Sequence, residues 1–194
     1  FEKARALVQE RGHAPRLHHI ANSAATLTFG DARLGLVRPG LLLYGLAPVE
    51  HTAASELEPV MRWTTKPVHL KHVPAGTRGS YGGRWQAMRH SRLATLPVGY
   101  ADGYSRSFSE KGVMLCQGER VPVRGIVCMD YTMVDLTELH RKKPISLGES
   151  ITVFGEQMGE TLTAKELAEI SGTIPYEIVT RLGDRVPRTY IHEH

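Results

Sequence analysis

The chain has 194 residues, 41% hydrophobic and 23% charged, with a formal net charge of +4, enough for one sizeable domain or a small domain plus part of another. No apolar run approaches the roughly 18 residues of a membrane span, and Glu2, Lys3, Arg5 and Glu10 exclude a secretory signal at the start. The basic residues are scattered and carry no nucleic-acid motif, so the expectation is a cytoplasmic protein with neither membrane nor nucleic acid as partner, its charge a solvated surface with a modest attraction for a phosphorylated small molecule.

Phe1, Ala4, Leu7 and Val8 share one face of a predicted helix over residues 1–11, with Gly12 as its C-cap. Pro15 and Leu17-His18-His19-Ile20 predict a turn into a short buried strand. Ala24–Leu27 predicts a short helix ending near Gly30. Leu36-Val37 and then, after Arg38-Pro39-Gly40, Leu41–Leu46 predict strands buried on both faces. This alternation matches the last βα units of a (β/α)8 barrel. A barrel cannot start with its final units, so the sequence reads as beginning inside a domain.

The polar, proline-bounded stretch 47–59 predicts a domain boundary. It divides the chain into 1–50, the end of an α/β barrel, and 51–194, a β-rich domain with two short helices near its end. Predicted strands in the second part are Trp63–Val73, Ser91–Pro97, Val113–Cys116, Arg120–Val127, Thr132–Asp135 and Ser150–Phe154, separated by Gly and Pro. Thr163 and Glu166 fit a capping box for a helix stopping near Gly172, and Pro175 opens a second helix running through Leu182. The expected fold class is mixed α/β, a partial barrel followed by a mainly antiparallel β domain.

Cys116 and Cys128 lack CxxC spacing and read as two reduced thiols. His18-His19 and the tail pair His192 and His194 have no partners at zinc spacing, so no metal is expected. GxSxG, P-loop and GxGxxG motifs are all missing. Arg38 stands between apolar neighbours, where an unpartnered buried guanidinium is costly, so a paired role is expected. Taken alone, His19 reads as a core histidine, Tyr81 as a turn aromatic and Asp102-Gly103 as a plain β-turn.

Six blocks carry a more specific signal: His19-Ile-Ala-Asn-Ser-Ala-Ala25, Arg38-Pro-Gly-Leu-Leu-Leu-Tyr-Gly45, Ser80-Tyr81-Gly82, Val98-Gly-Tyr-Ala-Asp-Gly103, Cys128-Met129-Asp130 and Ile174-Pro-Tyr-Glu177. In this order and at these separations they resemble the C-terminal part of the alanine racemase family. The resemblance implies pyridoxal 5'-phosphate, held by a lysine near the start of the barrel, and proton exchange at the substrate Cα by two bases on opposite faces. One base is that lysine. The other is matched by Tyr81, which a partner subunit's β domain would supply within a homodimer of shared sites. A phenol is mostly protonated at neutral pH, so a tyrosine base needs cationic or hydrogen-bonding neighbours. Gly79, Gly82 and Gly83 would permit close backbone approach there.

By the same resemblance, Arg38 faces the cofactor's pyridine nitrogen, with His19 orienting it. A guanidinium donates without accepting, which leaves that nitrogen unprotonated and the cofactor a weaker electron sink. Asn22, Ser23, the backbone of Gly40 and Leu41, and the Tyr176 hydroxyl would take the phosphate. Met129 would meet the substrate carboxylate through its backbone N–H, and Tyr100 and Asp130, with Tyr176, would form an entrance and gate. Alanine is the implied substrate, and D-alanine for cell-wall peptidoglycan the implied product.

None of the seven lysines lies in a segment like the family's cofactor lysine, and the family's N-terminal substrate arginine has no counterpart. Arg84 stands where the family more often has a small or hydroxyl residue. This chain alone is therefore expected to be inactive, as a part of a full-length enzyme. Alternatives are a serine or broad-spectrum amino-acid racemase and a non-catalytic dimerisation fragment. A barrel-type decarboxylase is disfavoured, because Arg38 occupies the place where an acid would protonate the ring nitrogen.

Overall fold

The computed structural model describes residues 1–191 and divides the chain into two compact units, Phe1–Met61 and Arg62–His194. The expected His192–His194 tail lies outside the described residues. The fold is mixed α/β.

In the first unit, α1 (Glu2–Glu10) is followed by α2 (Ser23–Thr28) and by 3-10 turns at Gly30–Ala32, Leu41–Tyr44 and Thr52–Glu56. Two of the anticipated helices are therefore present, but the strands are not. Leu17 and Ile20 are exposed rather than buried, Leu36 is exposed, and Leu41–Tyr44 coils into a 3-10 turn. A short apolar run has no periodicity to separate strand from helix. The β pairing actually made is a single parallel bridge, Asn22 to Arg38, with the Arg38 N–H donating to the Ala21 carbonyl at 2.9 Å. Ala21 and Leu41 are the buried apolar residues of this unit.

The second unit is built on an antiparallel eight-stranded sheet. Its strands are β1 (Trp63–Thr65), β2 (His69–Val73), β5 (Ser91–Leu96), β6 (Val113–Cys116), β7 (Glu119–Arg124), β8 (Thr132–Asp135), β9 (Ile151–Gln157) and β10 (Glu160–Leu162), while β3 (Arg78–Gly79) and β4 (Trp85–Gln86) form a separate hairpin. The order is β1-β9-β6-β7-β8-β5-β2, with β10 on β9. Alternation in β7 turns Val121 and Val123 inward, and the register sets Val123 opposite Val134 and Ala94 opposite Val134 on the other side. Leu93, Leu115, Val123, Val134, Ile151 and Val153 are buried, each apolar side chain contributing about 1.5–3 kcal/mol of transfer free energy. Trp63, Tyr104, Phe108 and Phe154 form an aromatic cluster, with Tyr104 stacked on Phe108 at 4.4 Å.

The β6–β7 and β9–β10 hairpins close through Gln117-Gly118 and Met158-Gly159, all four residues in the left-handed region that matches strand twist in two-residue turns. β7 ends at Arg124 rather than running to Val127, because Gly125 at φ +73° leaves extended geometry. Three short elements, the β3–β4 hairpin, β10 and α3 (Thr137–Lys142), are too brief to show as periodicity. α4 (Ala164–Ser171) starts as expected, Thr163 Oγ1 accepting from the Glu166 N–H at 3.0 Å. The Glu166 carboxylate does not complete the box. It pairs with Arg120, which also reaches Glu160 at 2.8 Å. α5 (Pro175–Thr180) has Pro175 in its first turn and stops short of Leu182, where the Gly183 N–H donates to the Asp102 carbonyl at 3.0 Å.

Candidate functional site

The sequence-derived site residues fall into both units. In the first, Asn22 caps α2, its Oδ1 accepting from the Ala25 N–H at 3.0 Å. Ser23 follows, 2% exposed, and its Oγ accepts from the Leu41 N–H at 3.0 Å. One hydroxyl thus joins the α2 start to the Gly40-Leu41 turn. The Gly40 N–H donates to the Arg38 carbonyl at 3.0 Å, so the amides of Gly40 and Leu41 are both engaged inside the chain.

Arg38 is exposed rather than buried between its apolar neighbours, and Nη2 donates to the Ile20 carbonyl at 3.1 Å. Its partner is a backbone carbonyl next in sequence to His19. The expectation that His19 is a core residue fails, since its side chain is exposed. The core reading used only its apolar neighbours, and those are themselves exposed.

In the second unit Tyr81 heads a 3-10 turn (Tyr81–Gly83) at the tip of the β3–β4 hairpin. It is 77% exposed. The hairpin is anchored by Trp85, which packs on Val73, Ala87 and Leu93. Immediately before Tyr81, Ser80 adopts φ +66° and ψ +175°, a region nearly confined to glycine and costing of order 1–3 kcal/mol for other residues.

Met129 and Tyr100 are both exposed, on adjoining loops. The Tyr100 N–H donates to the Cys128 carbonyl and the Ala101 N–H to the Met129 carbonyl, each at 3.0 Å. Gly99 allows this closeness: a Cβ there would lie 2.2 Å from the Met129 carbonyl oxygen.

Asp102, read from sequence as part of a plain turn, does more than turn the chain. It is buried; Oδ2 accepts from the Gly99 N–H at 2.8 Å, and both carboxylate oxygens accept from Arg185, Oδ1 at 2.7 Å and Oδ2 at 3.2 Å. Arg185 also donates to Asp130 Oδ1 at 2.7 Å. The two carboxylates, Asp102 first, hold the guanidinium still more firmly protonated than usual. One arginine thereby ties the Tyr100 loop to the Met129-Asp130 loop, beside a depression of 370 Å³ lined by Pro97, Asp102, Asp130, Tyr131 and Arg185.

The Gly99-to-Asp102 spacing, an acid three residues past a loop glycine, was a readable signal for Asp102. Arg185, 83 residues further on, had none. Tyr176 lies exposed on α5, its carbonyl accepting from the Thr180 hydroxyl at 2.7 Å.

The family model described as "Alanine racemase, C-terminal domain" matches residues 60–190, and "Alanine racemase, N-terminal domain" matches residues 1–48. An alanine racemase of Halothermothrix orenii is 45% identical over 175 residues, covering 90% of this chain and 45% of that protein. One from Geobacter sulfurreducens is 42% identical over 194 residues, covering 99% of this chain and 50% of its own length. The crystal structure of alanine racemase from Bacillus anthracis with bound L-Ala-P superposes with a TM-score of 0.89 at 37% identity, over 99% of this chain and 49% of that one. The chain thus spans about half the length of the curated relatives it matches. With both family domains matched in order along it, the chain belongs to the alanine racemase family.

Proposed function

We propose that this chain serves as the C-terminal part of a pyridoxal phosphate-dependent alanine racemase, a cytoplasmic homodimer with shared sites that supplies D-alanine for peptidoglycan. The observation that carries the reading is Tyr81: a phenol left 77% exposed on a hairpin held by Trp85 packing and by the Ser80 hydroxyl bonded to Ile126, on a chain with an alanine racemase relative at 45% identity. Among the described residues no helix is long and apolar enough to cross a membrane.

The residues of the first unit fit the cofactor. Ser23 Oγ already accepts from Leu41, so its own proton is left to donate to a phosphate oxygen. Asn22 caps only the Ala25 N–H, and the Ser23 and Ala24 N–H groups at the start of α2 have no intrahelical partner. Nothing lies within 4 Å of the place a Gly40 Cβ would occupy, which leaves room for a bound group. Arg38 uses one side-chain N–H on Ile20 and keeps the others for a ring nitrogen acceptor. His19 lies next to that contact.

When bound, pyridoxal phosphate withdraws electrons from the substrate Cα, making its proton removable. Tyr81 then takes or returns that proton on the L face, opposite a lysine on the D face. Met129 holds the substrate carboxylate through its N–H, and Tyr100 and Asp130 line the way in. Arg38, unable to give up its proton, keeps electron withdrawal moderate.

Complementation tests this reading. A full-length enzyme carrying this chain, altered at its cofactor lysine, is mixed with one altered as Tyr81→Phe under conditions of subunit exchange. The mixed dimer has one site with both groups intact, so alanine racemisation returns to a fraction of the wild-type rate, whereas this chain alone with pyridoxal phosphate makes no D-alanine. Exchange without recovery rules out shared sites, and robust turnover by the chain alone rules out a lysine lying elsewhere.

A further inference from the structure

Ser80 has both an unusual backbone and an unusual set of partners. At φ +66° and ψ +175° it occupies a conformation that L side chains rarely adopt. Its hydroxyl accepts from the Ile126 N–H at 2.7 Å and donates to the Ile126 carbonyl at 3.3 Å. A side chain that satisfies both backbone groups of one residue acts as a two-point clamp.

The receiving segment is prepared for it. A Cβ on Gly125 would fall 2.3 Å from Ser80 Cβ, and Gly125 itself sits at φ +73°. Its N–H is held by the Glu110 carboxylate, and the Val127 N–H donates to Ser109 Oγ at 3.0 Å. The amides of residues 125–127 are therefore held in turn by Glu110, Ser80 and Ser109. These residues lead directly into Cys128-Met129-Asp130. Ser80 itself is only partly buried, and Tyr81 beside it is exposed.

We propose that Ser80 is a positioning residue: its hydroxyl, clamped on Ile126, sets where the Tyr81 phenol stands relative to the Met129 loop. The proposal rests on the reading of Tyr81 as the L-face base. Proton transfer demands placement of the base within hydrogen-bond reach, and a misplacement of about 1 Å can cost 10²-fold. A one-residue lever held at two points meets that demand on a hairpin whose tip is otherwise exposed.

The test uses a full-length racemase carrying this chain, with Ser80→Ala, Ser80→Gly and Tyr81→Phe. Three quantities are read: Cα deuterium exchange starting separately from L- and D-alanine, hydrogen exchange of the Ile126 amide without substrate, and the thermal midpoint. Ser80→Ala slows exchange from L-alanine about 10- to 100-fold, leaves D-alanine nearly unchanged, and speeds Ile126 amide exchange. Ser80→Gly adopts the positive φ freely and melts higher than Ser80→Ala, yet recovers none of the lost L-face rate. Equal losses from both enantiomers in Ser80→Ala, or full L-face activity in Ser80→Gly, overturn the proposal, the second because backbone shape alone would then suffice. An Ile126 amide unaffected in both variants overturns the clamp independently of any activity. If Tyr81→Phe is itself symmetric between enantiomers, the base reading fails, and the proposal with it. If Tyr81→Phe is asymmetric while Ser80→Ala is not, only the Ser80 proposal fails.

Discussion

In residues 1–61 the side chains expected to meet the cofactor hang on a few bonds: Ser23 to the Leu41 N–H, Arg38 to the Ile20 carbonyl, and one parallel bridge between Asn22 and Arg38. In residues 62–191 the Tyr81 and Met129-Asp130 loops are tied by Ser80, Asp102 and Arg185 to a continuous antiparallel sheet with its own apolar core. The contrast teaches that backbone amides and small hydroxyls can be brought together over short sequence distances, 18 residues in the case of Ser23 and Leu41. The loops carrying the proposed base and gate instead draw on contacts 46 to 83 residues apart.

Hydrogen exchange on this chain gives the largest expected effect. Amides of β5 and β8, each paired to a strand on both sides, should be protected about 10⁴-fold or more, as expected for opening by global unfolding. Those of α1 should exchange close to the unprotected rate, because α1 is short and buries no residue. Comparable protection in both would erase the contrast.

Truncations sharpen it by a smaller amount. Leu115→Ala, at a site with 0% exposure, should cost about 2–5 kcal/mol in chemical denaturation. Leu43→Ala, at 69% exposure, should stay within about 0.5 kcal/mol. A large loss at Leu43 would mean that the first unit has a core of its own.

The smallest effect runs in the opposite direction. The Tyr104 hydroxyl is buried without a hydrogen-bond partner among the described residues, and burial pushes its phenol far above the usual range, so it stays neutral at any working pH. Tyr104→Phe should raise stability by about 1–2 kcal/mol by removing an unsatisfied polar group while keeping the stack on Phe108. A melting temperature that falls would show that the hydroxyl has a partner after all.

Residue order alone determined which chemistry-bearing types are present, the family they resemble, and most strands of the second unit, because β-branched and apolar alternation is written locally. The strands Val113–Cys116 and Thr132–Asp135 begin and end where short apolar and β-branched runs do. It also marked the start of α4, since a Thr N-cap acts on an amide three residues away. It misjudged Leu41–Tyr44 and Leu17–Ile20, where a short apolar run is compatible with strand or turn and only available hydrogen-bond partners decide. It read Asp102 as part of a plain turn, although the spacing from Gly99 was legible, and it was silent on Arg185 and on the Ser80 clamp. Each of these depends on which distant backbone or carboxylate the folded chain brings within 3 Å or so of a donor, and a charge-assisted or clamped hydrogen bond leaves no mark on the spacing of residues along the chain.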